Sequence, residues 1–207
     1  TEANLKKRGV WEEMKDDYKF FIAEARFIRA YCYAQLCDLF GGVPYVDENT
    51  GVKDLPKQMT RKQTFEYAES ELIAIENELK APGENVYGRV DRVACWFLLS
   101  RLYLNAETWI GENRYNDALK YAKMVIGDSN YPLAKDYRHI FLADNNTCSE
   151  IIWPLVQDGL RAQSSAGTNF YVKAFVNGPM DELYQTGVGS KGWGNVRSKT
   201  TLVDAFD

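Results

Sequence analysis

The 207-residue sequence contains a single histidine, His139. That scarcity excludes a site built on several imidazoles and all but removes Ser-His-Asp and Cys-His nucleophile systems within the chain. The four cysteines, Cys32, Cys37, Cys95 and Cys148, have no CxxC spacing, so neither a zinc knuckle nor a redox pair is written here. Cys32, Cys37 and Cys95 lie in apolar helical text and are expected as free, buried thiols. Cys32 and Cys37 are five apart and fall on different helix faces, which argues against a local disulfide. No apolar run approaches the roughly 18–20 residues of a membrane span. The polar opening from Thr1 to Arg8 is followed by no signal-peptide apolar region. Positive charge is not concentrated either. The 25 Lys+Arg against 29 Asp+Glu leave a net charge of −4, and the basic cluster Lys6-Lys7-Arg8 reads as a solvated helix face, so nucleic acid is not expected as a partner. Composition leaves open a cytosolic protein and a processed exported one.

What is present is enough for a core. The chain is 45% hydrophobic and 26% charged, unlike a disordered tail, and its length suits one large or two small domains at roughly 150 residues each. From Val10 to Phe40 there is neither Gly nor Pro, and Gly9 and Gly41 bracket the stretch. Its text, FFIAEARFIRAYCYAQLCDLF, is apolar nearly all round, which predicts a helix sandwiched between neighbours. Gly41-Gly42 supplies a left-handed stop and Pro44 prevents continuation. Thr60-x-x-Gln63 is a capping-box pattern. It opens a second helix with Phe65, Ala68, Leu72, Ile75 and Leu79 on one face, closed by Pro82-Gly83. Asp91 is the expected cap of a third helix, Arg92 to Ala106. A fourth, Arg114 to Ile126, carries Tyr115, Ala118, Ala122 and Val125 on one face. Small residues at Ala94, Ala118 and Ala122 let the last pair approach closely, in the manner of a tetratricopeptide hairpin. The expected fold class is mostly α, with tetratricopeptide-like helical pairs and a loop-rich, irregular binding region. The scaffold is expected over 1–130 and the irregular region over 131–207. Helix pairs of this kind build surfaces rather than chemistry.

Beyond Pro132 the text changes. Residues 150–156, EIIWPLV, read as a strand, at a sheet edge because of Pro154. From Gln157 to Thr201 glycine and small polar residues alternate with Phe170, Tyr171, Phe175, Tyr184 and Trp193, too aromatic for disorder and too long for an idle connection. Thr200 or Thr201 is the expected cap of a helix over Leu202, Val203 and Phe206 that has no room to finish.

Several motifs carry little. Gly187-x-Gly189-x-x-Gly192 matches the dinucleotide fingerprint literally, but no strand delivers it and no helix follows. It reads as a loop presenting Trp193. Asn145-Asn146-Thr147 fits a glycosylation sequon of the kind that arises by chance. Asp158, Asp181 and Glu182 could supply paired carboxylates for glycoside hydrolysis, yet nothing fixes their separation and they read as solvated loop acids. Glu24, Arg26 and Arg29 read as an ion-pair network tying helices together, and His139 as a loop histidine satisfied by hydrogen bonds. No catalytic set, no metal site and no cofactor is expected.

Taken together, EARFIRAY at 24–31, LFGGVP at 39–44, Gly88-Arg89, Leu99-x-Arg101-Leu102-Tyr103-Leu104, Arg114-Tyr115-x-x-Ala118, Tyr131-Pro132-Leu133, Glu150-Ile151-Ile152-Trp153 and LVDAF at 202–206 resemble, in order and spacing, the SusD/RagB family of outer-membrane glycan-binding lipoproteins. The resemblance implies a helical scaffold with an irregular binding face, on a cell-surface protein of Bacteroidetes-type bacteria. It implies non-catalytic capture of oligosaccharides, or of peptides in some branches, and delivery to a SusC-like, TonB-dependent transporter. A lipidated N-terminal cysteine and the family's opening helices are not in this text, nor is its C-terminal portion, so the chain is expected to be part of a longer one, anchored to the membrane only through that lipid.

Sugar rings offer an apolar C–H face to aromatic rings and hydroxyls to amides, carboxylates and guanidinium groups. Trp193, Asn195 and Arg197 bring an aromatic, an amide and a cation into five residues, and Asn169, Phe170 and Tyr171 lie where the family places another aromatic. These six are the expected glycan-binding residues. For Trp193 a second reading stays open, a core plug between glycines. Trp153 is expected in the core. Two further functions stay open for the chain: a peptide-binding or scaffolding helical subunit of an outer-membrane transporter complex, and, more remotely, a glycosidase.

Overall fold

The described chain is mostly helical, and side chains at Thr60 and Asp91 set the starts of two of its helices. In the computed structural model, residues 2–47, 50–51, 53–157, 160–161, 173–176, 179–180 and 192–205 are described. Helix α1 (Glu2–Lys7) turns at Gly9, φ 72°, into α2 (Trp11–Phe40). Gly41, at φ 77°, ends α2, its N–H donating to the Cys37 carbonyl at 3.0 Å. A positive φ of this kind suits glycine. The chain then forms an isolated antiparallel bridge, Pro44 with Gln58, before α3 (Arg61–Ile75). The capping box at its start is complete: Thr60 Oγ1 accepts from the Gln63 N–H at 3.2 Å, and Gln63 Oε1 accepts from the Thr60 N–H at 2.9 Å. Regular helix ends at Ile75, short of Leu79, but two hydrogen-bonded turns carry the apolar face on and leave Leu79 fully buried.

Asp91 caps α4 (Arg92–Ile110), its Oδ1 accepting from the N–H groups of Val93 and Ala94 at 2.9 and 3.4 Å. The same buried carboxylate accepts from the Gly83 N–H at 2.8 Å and from the Tyr131 hydroxyl. Burial, with the bond to Asp91 second, pushes the Tyr131 hydroxyl well above the usual phenol range. Helix α4 runs past the expected end at Ala106 and stops at Gly111, φ 75°. Helix α5 (Tyr115–Gly127) follows at once.

Side-chain contacts fix an antiparallel register between α2 and α3 and tie the remaining helices to them. Along α2 and α3, Cys37 reaches the Arg61 carbonyl, Tyr33 meets the Tyr67 ring at 4.8 Å, and Arg26 bonds Glu71. Along α3 and α4, the Cys95 thiol reaches the Leu72 carbonyl and the Trp96 indole donates to Glu76. Tyr103 stacks on Tyr121 at 5.8 Å between α4 and α5. The result is two helical pairs, α2/α3 and α4/α5, joined through α3 and α4. Phe27, Phe65, Leu72, Ile75, Leu79, Leu99 and Leu102 form the centre of the core, each under 2% exposed.

Four expectations are corrected. Helix α2 is not sandwiched. Ala23, Phe27, Ala30, Ala34 and Cys37 are buried, while on the opposite side Ala25, Ile28, Cys32 and Leu39 are exposed, Leu39 at 70%. Apolar text all round a helix states what could be covered. Here α3 and α4 both pack on one side. Cys32 is accordingly an exposed thiol, whereas Cys37, Cys95 and Cys148 are buried and all four are free. Residues 150–156 form turns and irregular chain rather than a strand. Pro154 has no N–H to give a ladder, and the local bonds there close turns, as from the Ile151 N–H to the Cys148 carbonyl. The last helical turn, Thr200–Val203, is capped by Lys199 without a side-chain bond, rather than by a threonine.

The chain divides into two compact units, Thr1–Pro154 and Leu155–Asp207. The first holds all five long elements and two 3-10 turns, Tyr137–Phe141 and Asn145–Thr147. In the second, the segment 193–196 is bonded back to 173–176.

Candidate functional site

The resemblance segments in the helical unit turn out to be structural locks. Arg89, just past Gly88 at φ 82°, makes a two-pronged bond to Glu24, at 2.9 and 2.7 Å, and Asn85 adds a third at 3.0 Å. Arg26 grips Glu71 through Nε and Nη2, both at 3.0 Å, and Arg29 reaches the same carboxylate at 3.0 Å. Arg114 joins Glu69 of α3 at 2.9 Å and Asp117 of α5. Bidentate guanidinium–carboxylate pairs fix geometry as well as energy. The Arg26 bond, then that of Arg29, holds the Glu71 carboxyl below its usual range against the opposing effect of burial. The network expected from Glu24, Arg26 and Arg29 is therefore present, and it ties helices rather than ligands.

Trp153 packs edge-on against Phe27 and Tyr31 of α2, both at 5.2 Å. It is a core residue. His139 sits on a 3-10 turn with Nε2 3.0 Å from Thr147 Oγ1. Among the described residues no three His, Cys, Asp or Glu side chains converge as a metal site would need. Nor is any helix there long and apolar enough to cross a membrane.

Of the expected glycan-binding residues, Trp193, Asn195 and Arg197 are described. The backbone holds the tryptophan in place from both sides: its own N–H donates to the Lys173 carbonyl at 2.6 Å, the Gly194 N–H to Val176 at 3.1 Å and the Val196 N–H to Ala174 at 3.0 Å. Gly194, at φ 58°, makes the bend between them. Trp193 is 47% exposed, with the Lys173 ammonium 5.9 Å from its ring centroid. Asn195 and Arg197 are exposed beside it in sequence. Asn169, Phe170 and Tyr171 lie outside the described residues, as do Gly187 and Gly189 of the glycine motif and Asp158, Asp181 and Glu182.

Sequence reasoning missed one aromatic pair. Tyr137 and Phe141 are 73% and 69% exposed, their rings 5.2 Å apart and edge-on. The signal was an i, i+4 aromatic spacing behind Asp136, whose side chain caps the turn at the Arg138 N–H.

Comparison with known proteins bears on the chain as a whole. A SusD-like family model, described as "Starch-binding associating with outer membrane", matches residues 4–104. The starch-binding protein SusD of Bacteroides thetaiotaomicron is 35% identical over 188 residues, 89% of this chain and 33% of the relative. Among solved structures, a surface glycan-binding protein A from Bacteroides uniformis superposes with a TM-score of 0.57 at 26% identity, over 66% of this chain and 30% of that one. A SusD-like protein from Bacteroides fragilis shares the fold more extensively, with a TM-score of 0.67 at 21% identity over 92% of this chain and 36% of its own length. The chain thus spans about a third of the length of these relatives. Helical pairs in this order, locked by the same segments that carry the resemblance and matched in sequence along most of their length, place the chain in the SusD-like family.

Proposed function

We propose that this chain contributes to non-catalytic capture of oligosaccharide or polysaccharide at a bacterial cell surface. In the same reading it is part of an outer-membrane protein, lipid-anchored in its longer form, that delivers glycan to a SusC-like, TonB-dependent transporter. The observation that carries the reading is the 35% identity to a starch-binding protein along 89% of the chain. The half-exposed Trp193, with Asn195 and Arg197 exposed next to it, supports it. An indole face accepts the C–H side of a sugar ring, and the amide and guanidinium answer its hydroxyls. In this reading the irregular region 131–207 carries the ligand, and Asn169, Phe170 and Tyr171 complete the contact.

The test is affinity electrophoresis through native gels containing starch, with gels of other plant, host and microbial polysaccharides alongside. Retardation by a glycan, reduced at least severalfold by Trp193→Ala in a protein of unchanged far-ultraviolet circular dichroism, is the expected result. A chain that no glycan retards would sink the reading. A second reading, a peptide-binding or scaffolding subunit of the transporter complex, draws support from the exposed apolar side of α2 at Ile28 and Leu39, and would then take precedence.

A further inference from the structure

Helices α2 and α4 leave a groove between them inside the helical unit, floored by Ala34, Leu98 and Leu102. Its rim is polar. Gln35 and Asp38 come from α2, three residues apart. Arg101, Asn105 and Trp109 come from α4 at successive four-residue steps, so each set lies on one helix face. The groove is a shallow depression open to solvent.

The contrast with the other helix seams is informative. Between α2 and α3, Glu71 is held by two arginines. On α4 and α5, the indole of Trp96 and the hydroxyl of Tyr121 are both taken by Glu76, and Arg114 by Glu69 and Asp117. In the groove, none of the side chains of Gln35, Asp38, Arg101 and Trp109 has a hydrogen bond or ion pair, and Asn105 uses only its Nδ2, toward the Arg101 carbonyl at 2.8 Å. Two amides, a carboxylate, a guanidinium and an indole therefore point their unused capacity at one apolar-floored depression.

The ligand class follows from that inventory. One acid and one base sum to zero, so neither an anion nor a cation is favoured. Amides both donate and accept, as hydroxyl groups do. An indole beside an apolar floor requires a face of C–H groups. A neutral, polyhydroxylated ring with one apolar face satisfies all three conditions. We infer that the α2–α4 groove is a surface subsite on which the face of a saccharide ring packs; the Trp193 loop belongs to the other unit of the chain. The inference rests on the glycan reading above.

The experiment follows the tryptophan indole N–H resonances of the ¹⁵N-labelled chain during titration with maltoheptaose, xylohexaose, laminarihexaose and mannohexaose in turn. Trp109→Phe and Trp193→Phe assign the two signals. One oligosaccharide is expected to shift the Trp109 resonance in the wild-type chain and equally in Trp193→Ala. The double variant Arg101→Ala, Asn105→Ala should weaken that response about tenfold while leaving the Trp193 signal unchanged. The Arg101 side chain makes no bond and that of Asn105 bonds only within α4, to the Arg101 carbonyl, so circular dichroism of the variant should match the wild type. A saccharide that shifts Trp193 and not Trp109 overturns the subsite and leaves the glycan reading intact. So does a Trp109 response that the double variant does not weaken. Failure of all four to move any indole signal, together with no retardation in polysaccharide gels, overturns both.

Discussion

At the scale of single residues the fold makes sharp distinctions between identical side chains. Burial pushes the Cys37 and Cys95 thiols above the usual range, with nearby carboxylates adding to the effect, and Cys148 is also buried. A thiol reacts as its thiolate and only when reached. Cys32, exposed on α2, is the exception. The folded chain at neutral pH is therefore expected to titrate one thiol quickly with a chromogenic disulfide and the remaining three only in denaturant. Rapid reaction of two or more would contradict the burial of Cys37, Cys95 and Cys148 described here. Gly42 is the second case. Its backbone needs no positive φ, yet a Cβ there would sit 2.2 Å from the Met59 carbonyl oxygen, and Met59 is bonded to Val43 at 2.9 Å across the bridge. Neither partner has a flexible end that could move away. Gly42→Ala should destabilise the chain by about 1–3 kcal/mol, read as a shift in urea midpoint. An unchanged midpoint would mean that the bridge gives way at little cost.

Among elements, the pairing of α2 with α3 combines an apolar seam with a charged one, and the two respond differently to pH. Glu71 sits 15% exposed between Arg26 and Arg29, its carboxyl pulled below the ordinary value of 4.5 by those bonds. A carboxylate lowered in the folded state adds stability above its unfolded pKa and loses it as pH falls through the folded one. Glu71→Gln should therefore cost about 1–3 kcal/mol at pH 7. The gap to wild type should close as the pH drops below the mid-4 range. A gap that persists to pH 2 would show that shape, and not charge, carries the contact. Such seams were partly legible in the sequence. The caps at Thr60 and Asp91, the stop at Gly41 and the 3-4 spacing of α3 are local, and local chemistry decides them. The buried side of α2 was not legible, because apolar residues surround the whole helix and the choice between sides is made by α3 and α4. The strand expected at 150–156 failed for a related reason. Short apolar runs look alike whether a partner strand or a neighbouring helix covers them, and here Ile152 and Trp153 pack on the helical core.

For the whole molecule, the balance of charge limits which ligand can be held and how. Net charge is −4, and Arg26, Arg29, Arg89 and Arg114 are spent on internal carboxylates. The site was correspondingly less legible than the fold. Trp193 stood out because an indole among glycines is conspicuous, whereas the α2–α4 groove is assembled from two distant helices whose residues look like ordinary surface when read singly. Both candidate sites rely mainly on aromatic faces and neutral hydrogen bonds, with one acid and one base in the groove and two cations, Lys173 and Arg197, near Trp193. Capture of a neutral polysaccharide by such a surface releases few counterions, unlike the steep salt dependence of polyanion binding, where each neutralised phosphate lowers affinity with a slope of roughly −0.9 in log salt. Retardation in polysaccharide gels should therefore change by less than about twofold between 50 mM and 500 mM salt. A steep loss across that range would instead assign the affinity to the half-buried Lys173 and the exposed Arg197 and require an acidic glycan, because only charge pairing in water is screened so strongly.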